Sequence, residues 1–158
     1  MQRAIKNLIR DRGLSRYQHT VVKVESCPSR PIGLCADNSV DEADLHRPSK
    51  DQPGPVKSVA GWIVGEWDGK YAPLTPHFWN YDTRTDTFYD TTEPGYFENN
   101  PNVTYVVDNQ VMDLDWNDDS FSGFVYKKDN RPYVVKKDKI VRIDSFTNTN
   151  LEQIYFQA

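Results

Sequence analysis

The sequence lacks any run of about 18 apolar residues, the length that a membrane-spanning helix needs. It also lacks the continuous apolar core of a secretion signal, because Arg and Lys interrupt the apolar residues near the N-terminus. Cysteine is scarce, with 2 residues in the chain. Without a secretion signal, two cysteines are better interpreted as thiols than as a disulfide framework. We therefore expect a cytoplasmic protein with no membrane association.

Positive charge is not in excess, since 19 Lys and Arg are outnumbered by 23 Asp and Glu and the net charge is −4. General nucleic-acid binders and proteins attracted to anionic membranes rely on surplus Lys and Arg. We therefore expect no nucleic-acid partner and no membrane partner. Aromatic residues are plentiful at 13%, which predicts a core and a pocket built on rings.

A length of 158 residues suits one domain with a core and a cleft beside it. We assign residues 1–150 to that domain, because no internal repeat or low-complexity boundary divides them. The tail at residues 151–158 resembles a viral-protease recognition peptide of the Glu-x-x-Tyr-x-Gln type. It is either a remnant of an expression tag or a native end, and it takes no part in the functional reasoning.

Residues 76–92 predict two short strands joined by a polar turn at residues 82–86. The strands hold aromatic residues that suit a pleated, half-buried surface. Antiparallel pairing would bring His77, near the start of the first strand, close to Asp90, near the end of the second. An imidazole held by a carboxylate is the back half of a nucleophilic triad, because the carboxylate fixes the tautomer and stabilises the imidazolium.

Two cysteines upstream, Cys27 and Cys35, could supply the nucleophile. Residues 33–46 contain no proline and no glycine after the first position, and they predict a helix that begins near Cys35. Its apolar residues recur at intervals of about four and three: Ala36, Val40 and Ala43. Cys27 precedes Pro28 and is poorly placed to start a helix. Cys35 is the favoured nucleophile, because a helix N-terminus and a neighbouring imidazolium both stabilise a thiolate.

The remaining elements follow from periodicity and from breaker residues. Residues 2–12 predict an amphipathic helix with Ile5, Leu8 and Ile9 on one face, ended by Gly13. Turns or loops are predicted at residues 27–31, 47–55 and 93–102, which are rich in Pro, Gly or Asn. Strands are predicted at residues 17–24, 56–67, 103–107, 110–114, 121–126, 133–136 and 140–143.

The order of cysteine helix, strand, histidine strand and aspartate strand resembles the transglutaminase-like cysteine enzymes of the papain-related superfamily. In that family the His is followed by Trp two residues later, often by Asn, and then by an Asp with Thr close behind. The matching residues here are His77, Trp79, Asn80, Asp90 and Thr91.

A strand ending in Gly-Trp or Gly-Tyr usually precedes the family's His, and Gly61-Trp62 fits that place. The resemblance covers residues 32–92, under half of the chain. It implies an α+β fold in which an antiparallel sheet packs against an N-terminal catalytic helix. It also implies a Cys-His-Asp triad and no cofactor.

The chemistry expected of this triad is thiol-dependent acyl transfer or amide hydrolysis through a covalent thioester. Cys35 attacks a carbonyl, His77 protonates the leaving group and Asp90 orients the imidazole. The backbone N–H of Cys35, together with an unidentified side-chain donor, would hold the oxyanion. The substrate is a peptide, a protein or a small amide.

We expect substrate binding by Trp79, Trp62 and Asn38. Two of the key side chains keep other interpretations open. Trp79 could equally fill the core, and Cys35 could be a small buried hydrophobe, the commonest place for a free cysteine.

Two other functions compete with the triad. The fold could serve as a non-catalytic module whose aromatic cleft binds a protein partner. A metal-dependent hydrolase is disfavoured, because no H-E-x-x-H or paired-His spacing occurs. Residues 113–119 are acidic but lack the Gly and Glu of a calcium loop, so a solvated turn is expected there.

Overall fold

A computed structural model describes residues 3–14, 20–31, 34–93, 103–113, 121–136 and 139–143. These residues form a mostly antiparallel sheet with two helices, which confirms the α+β class. The helices are α1 (Arg3–Asp11) and α2 (Cys35–Leu45). The strands are β1 (Val21–Val22), β2 (Val24–Arg30), β3 (Val56–Val64), β4 (Ala72–Asp82), β5 (Thr87–Thr92), β6 (Thr104–Val107), β7 (Phe121–Tyr126), β8 (Pro132–Lys136) and β9 (Lys139–Arg142).

The strand pairing closes on itself. Strands follow the order β1-β6-β3-β4-β7-β8-β9, and every neighbouring pair along it is antiparallel. β5 pairs antiparallel with β4 and parallel with β2. Only Lys23 separates β1, which pairs with β6, from β2, which pairs with β5. The strands β1, β6, β3, β4, β5 and β2 therefore form a closed series of neighbours. This arrangement sets β4 beside β3 and β5 at once.

The N-terminal helix α1 covers the main apolar core, as its periodicity predicts. Ile5, Leu8 and Ile9 are buried and belong to one cluster with side chains of the sheet such as Trp62. Gly13 has a φ of 64° just after the helix, the left-handed conformation that glycine adopts freely at a helix end. The predicted helix and its stop are confirmed.

The hairpin of β4 and β5 is also confirmed. Asn80 pairs with Tyr89 across it, and residues 83–86 form the turn. Asp86 has a φ of 52°, a conformation that Asp tolerates better than most residues. The pairing brings the β4 and β5 segments that carry His77 and Asp90 side by side.

The predicted turn at residues 27–31 is wrong, because β2 continues to Arg30. Its pairing with β5 is regular from Val24 to Ser26 and shifts register before Arg30. Pro28 falls inside this irregular stretch, where no backbone donor is needed for the ladder. A proline at a bulge therefore did not end the strand.

The strand predicted at residues 110–114 is wrong as well. The chain forms a 3-10 helix, Asn109–Asp113, instead. The Asp108 carboxylate accepts the N–H of Gln110 at 3.2 Å, and its backbone carbonyl accepts that of Val111 at 3.1 Å. Such local bonds from an aspartate compete with strand pairing.

Helix α2 begins at Cys35 as predicted, but its recurring apolar residues do not form its buried face. Ala36 is exposed and Val40 is 48% exposed, whereas the polar residues Asn38 and Ser39 are buried. The helix lies against β3, β4 and β5. Its contacts are therefore polar, unlike those of α1.

Some predictions lie partly or wholly outside the described residues. They concern the tail at 151–158, most of the acidic turn at 113–119, most of the loop at 93–102 and the start of the strand at 17–24. In the described part of the chain, neither helix combines the length and the apolarity required to cross a bilayer.

Candidate functional site: a cysteine, a histidine and an aspartate

His77 and Asp90 form a buried pair. His77 lies opposite Gly61 of β3, with 5% of its surface exposed. Its Nε2 atom is 2.6 Å from Oδ2 of Asp90, and Asp90 is also buried. The other carboxylate oxygen accepts the backbone N–H of Thr92 at 3.0 Å. Because both oxygens of Asp90 have partners, the carboxylate and the imidazole are fixed relative to each other.

Cys35 completes the constellation from the first turn of α2. It is partly exposed, and its side chain is close enough to the His77 ring to raise the pKa of that ring through hydrogen bonding and charge. Since Nε2 of that ring faces Asp90, Nδ1 is the nitrogen left for the thiol. The three residues predicted as catalytic thus meet in the order sulfur, imidazole, carboxylate. They come from three separate elements, α2, β4 and β5.

The pKa of His77 is set by opposing influences. Burial, the largest influence, disfavours the charged ring and lowers its pKa. Hydrogen bonds to Asp90 and Cys35, with the electrostatic interactions of the same two groups, act in the other direction and outweigh it. They raise the pKa of His77 from 6.5 to about 10. The ring therefore carries a proton at neutral pH.

This raised pKa predicts that the fold loses stability as the solution becomes alkaline. Between the unfolded pKa of 6.5 and the folded pKa of about 10, the folded chain binds more protons than the unfolded chain. The contribution of His77 is therefore complete below this interval and lost above it. We expect the wild type to lose about 3–4 kcal/mol of unfolding free energy relative to His77→Gln between pH 6.5 and pH 9.5. Urea unfolding at each pH measures this difference, and parallel pH profiles would contradict the raised pKa.

Asn38, expected to bind substrate, instead ties α2 to its surroundings. Its Nδ2 donates to the backbone carbonyl of Pro31 at 2.8 Å and to Oγ1 of Thr92 at 3.0 Å. Thr92 is the residue whose N–H is bound by Asp90. Asn38 therefore links the helix of the cysteine to the strand of the aspartate, and it is buried rather than facing a cleft.

A second polar contact fixes the rotation of α2. The hydroxyls of Ser39 and Ser58 are 2.7 Å apart, and Asn80 Nδ2 donates to the backbone carbonyl of Ser39 at 2.8 Å. Hydrogen bonds depend on direction, so these contacts set both the height and the rotation of the helix. The position of Cys35 against His77 follows from them.

The far half of α2 is held through Glu42. Its carboxylate accepts hydrogen bonds from Tyr89 at 2.9 Å and from Arg30 at 3.2 Å, and it lies 3.1 Å from Nε2 of His46. Burial alone would raise the pKa of Glu42, but the hydrogen bonds from Tyr89, Arg30 and His46 outweigh it and lower the pKa. The charged carboxylate joins α2 to β2 and β5.

Aromatic rings surround the imidazole of His77. Trp79 is fully buried and stacks against it, with ring centroids 6.2 Å apart. Tyr105 of β6 meets the His77 ring edge-on, also at 6.2 Å, and the Trp79 ring at 5.2 Å. Trp79 therefore packs behind the site. Tyr105 is the partly exposed ring of the three, and sequence reasoning missed it because only strand pairing brings it here.

Trp62 does not lie at the site. It is fully buried in the apolar core, edge-on to Phe124. Its Nε1 donates to Asp108 at 3.0 Å, and the same carboxylate oxygen pairs with buried Arg12 at 2.7 Å. The expectation that Trp62 binds substrate is therefore not supported by its position, because its side chain faces α1 rather than His77.

The N-terminus of α2 carries no side-chain cap. Leu34 occupies the cap position, and the first backbone bond of the helix runs from Asn38 N–H to the Leu34 carbonyl. The N–H groups of the first helical residues, starting with Cys35, precede that bond. They form a positive end of the helix dipole beside the sulfur.

The rivals of these residues occupy other places. Cys27 is exposed on β2. Asp82 pairs with Arg84 at 3.0 Å, and Asp86 accepts the hydroxyl of Tyr81 at 2.5 Å, so both aspartates stabilise the turn between β4 and β5. Within the described residues, no group of three or more His, Cys, Asp or Glu side chains is arranged to hold a metal ion.

Comparisons with protein-family models, with curated protein sequences and with solved structures gave no match to this chain.

Proposed function

We propose that this chain is a transglutaminase-like cysteine enzyme that transfers or hydrolyses acyl groups with Cys35, His77 and Asp90. The observation that carries the proposal is the position of the His77 ring, which is hydrogen-bonded to Asp90 and lies close enough to Cys35 for the sulfur to help raise its pKa. The motif resemblance of residues 32–92 supports the same reaction class. Cys35 is partly exposed beside buried partners, which suits a nucleophile that substrate must reach.

In the first half of the reaction, the protonated ring of His77 favours the thiolate form of Cys35. The sulfur attacks the carbonyl carbon of an amide, and negative charge develops on the carbonyl oxygen. Backbone N–H groups in the first turn of α2 stabilise that charge. His77 gives a proton to the leaving nitrogen, the C–N bond breaks, and a thioester on Cys35 remains.

In the second half, water or an amine attacks the thioester. The ring of His77, now neutral, accepts the proton of the attacking group, and the C–S bond breaks to restore the thiolate. The carboxylate of Asp90 orients the imidazole and stabilises the imidazolium at both stages. Water gives hydrolysis and an amine gives transfer, and the acyl donor is a peptide, a protein or a small amide. No cofactor enters these steps.

The test is the pH dependence of iodoacetamide labelling, with the modified cysteine located by mass spectrometry. An ordinary thiol with a pKa of about 8.5 is only about 1% thiolate at pH 6.5. We expect Cys35 to be labelled faster than Cys27 at that pH, even though Cys27 is the more exposed of the two. Cys27 thus serves as an ordinary thiol within the same molecule.

The variant His77→Ala separates the proposal from accidental reactivity. Labelling of Cys35 below pH 7 should become slow, while that of Cys27 stays the same. Slow labelling of Cys35 in the wild type, unchanged by the substitution, would contradict a catalytic triad. A non-catalytic binding module would then be the better interpretation.

A further inference from the structure

A cavity of about 470 Å³ lies between the start of α1 and the turn that joins β7 to β8. None of the residues that line it belongs to the cysteine site. The small side chains Ala4 and Ala72 leave room inside, and Tyr126 forms part of the wall. Trp67 also lines the cavity and is 42% exposed, which is unusual for so large an apolar side chain. The volume and the apolar walls suit a small molecule.

The same cavity is lined by positive charge. Arg3 reaches it from α1, and Lys127 and Lys128 reach it from the turn after β7. Among the described residues that line it there is no carboxylate. In a chain with a net charge of −4, three cations around one apolar cavity are a local reversal of sign.

Three aspartates close in sequence to the residues that line this cavity accept hydrogen bonds from uncharged groups. Asp11 accepts the hydroxyl of Tyr126 at 2.7 Å, and Asp68 accepts the N–H of Lys70 at 2.9 Å. Asp129 accepts the hydroxyl of Tyr133 at 2.5 Å. The ammonium group of Lys127 lies 4.3 Å from the centre of the Tyr133 ring. That ring attracts the ammonium without neutralising its charge.

We propose that this cavity binds a small aromatic molecule that carries a carboxylate, sulfonate or phosphate group. The aromatic ring packs on Trp67 and the apolar wall, and the anionic group meets Arg3, Lys127 and Lys128. Asn130 adds an amide at the rim, where its Oδ1 accepts a hydrogen bond from Nδ2 of Asn7 at 3.2 Å. This site is independent of the reaction proposed for Cys35.

Matched probes separate the contributions of ring and charge. The probe 2-naphthoate has both features, 2-naphthamide has the same ring without charge, and inorganic phosphate has charge without a ring. Each is titrated into the full chain while backbone amide shifts are followed by NMR. We expect saturable shifts at residues 3–7, 67 and 126–130 with naphthoate, and binding at least about fivefold weaker with each of the other two.

Variants test whether binding occurs at this place. Lys128→Glu should weaken naphthoate binding about fivefold, and Trp67→Ala should weaken it further through loss of ring contact. The matched control is Lys6→Glu, which reverses an exposed charge on α1 that does not line the cavity. That control should stay within about twofold of wild type, because its charge is farther from the ligand.

Three results would overturn the proposal. Equal affinity for naphthoate and naphthamide would show that the cations play no part. Shifts centred on other residues would place the site elsewhere. A lack of saturable binding by naphthoate at millimolar concentration would show that the cavity takes no ligand of this class. None of these results affects the labelling of Cys35, so the two proposals fail separately.

Discussion

Changing Asp90 to asparagine is expected to slow the labelling of Cys35 at pH 6.5 by about 100-fold, to the level of an ordinary thiol. Apart from burial, which lowers it, the hydrogen bond to Asp90 has the largest effect on the pKa of His77. Without the carboxylate, burial favours the neutral ring. An amide N–H at position 90 would also donate to Nε2 and so place the ring proton on Nδ1. A protonated Nδ1 cannot accept the proton of the thiol. Turnover of an amide substrate should fall by about 10⁴ for the same reason.

The matched control is Asp86→Asn in the turn of the same hairpin. Asp86 has a positive φ of 52°, which asparagine adopts as readily, and it contacts Tyr81 rather than His77. Labelling of Cys35 should be unchanged there. Tryptophan fluorescence and circular dichroism establish that both variants are folded. A folded Asp90→Asn protein that keeps the wild-type labelling rate would show that the carboxylate has no part in activating the sulfur.

Changing Gly61 to alanine is expected to cost more than about 4 kcal/mol of unfolding free energy and to leave little folded protein. A methyl group at this position would lie 2.0 Å from the backbone oxygen of Val106 and 2.8 Å from the ring of Trp79. The pairing of β3 with β6 holds the Val106 oxygen in place, and the Trp79 ring is fully buried. Neither can move without separating β3 from β6 or displacing Trp79 from His77.

Urea unfolding compared with Gly69→Ala measures this effect. At Gly69 an added methyl group meets no atom within 4 Å, and the cost there is confined to the positive φ of 96°. We expect that variant to lose about 1–2 kcal/mol. If the two alanine variants are equally stable, the close approach at Gly61 does not constrain the fold.

Local patterns in the sequence carried much of the fold. Helix α1, the start of α2 at Cys35, and the hairpin with its turn at residues 83–86 each depend on neighbours within a few positions. The meeting of His77 and Asp90 follows from that hairpin alone, because antiparallel pairing sets them on adjacent strands. Periodicity and turn chemistry report such short-range preferences well.

Long-range packing could not be deduced in the same way. Trp62 and Trp79 are both tryptophans in strands next to the site, yet one faces the α1 core and the other stacks on His77. The direction of each depends on the register between β3 and β4. Tyr105 reaches the imidazole only because β6 pairs with β3, which no local pattern predicts.

Two further differences arose where tertiary contacts overrode local preference. Pro28 stays within a strand because β2 leaves its regular pairing with β5 there. In α2, the recurring residues Ala36, Val40 and Ala43 predicted the helix but not its buried face, because the surface it packs against offers hydroxyl groups, as with Ser58 and Thr92. Hydrophobic periodicity cannot identify a helix whose buried face is polar.

The polar attachment of α2 also governs how far the sequence around the cysteine can vary. Apolar contacts depend mainly on volume, so one aliphatic side chain can replace another, whereas a hydrogen bond needs a given donor in a given direction. Asn38 and Ser39 satisfy partners that no side chain of similar size reproduces, while Val40 and Leu45 on the same helix are exposed. Among descendants of this chain, substitutions should accumulate slowly at positions 38 and 39 and quickly at positions 40 and 45 of the same helix.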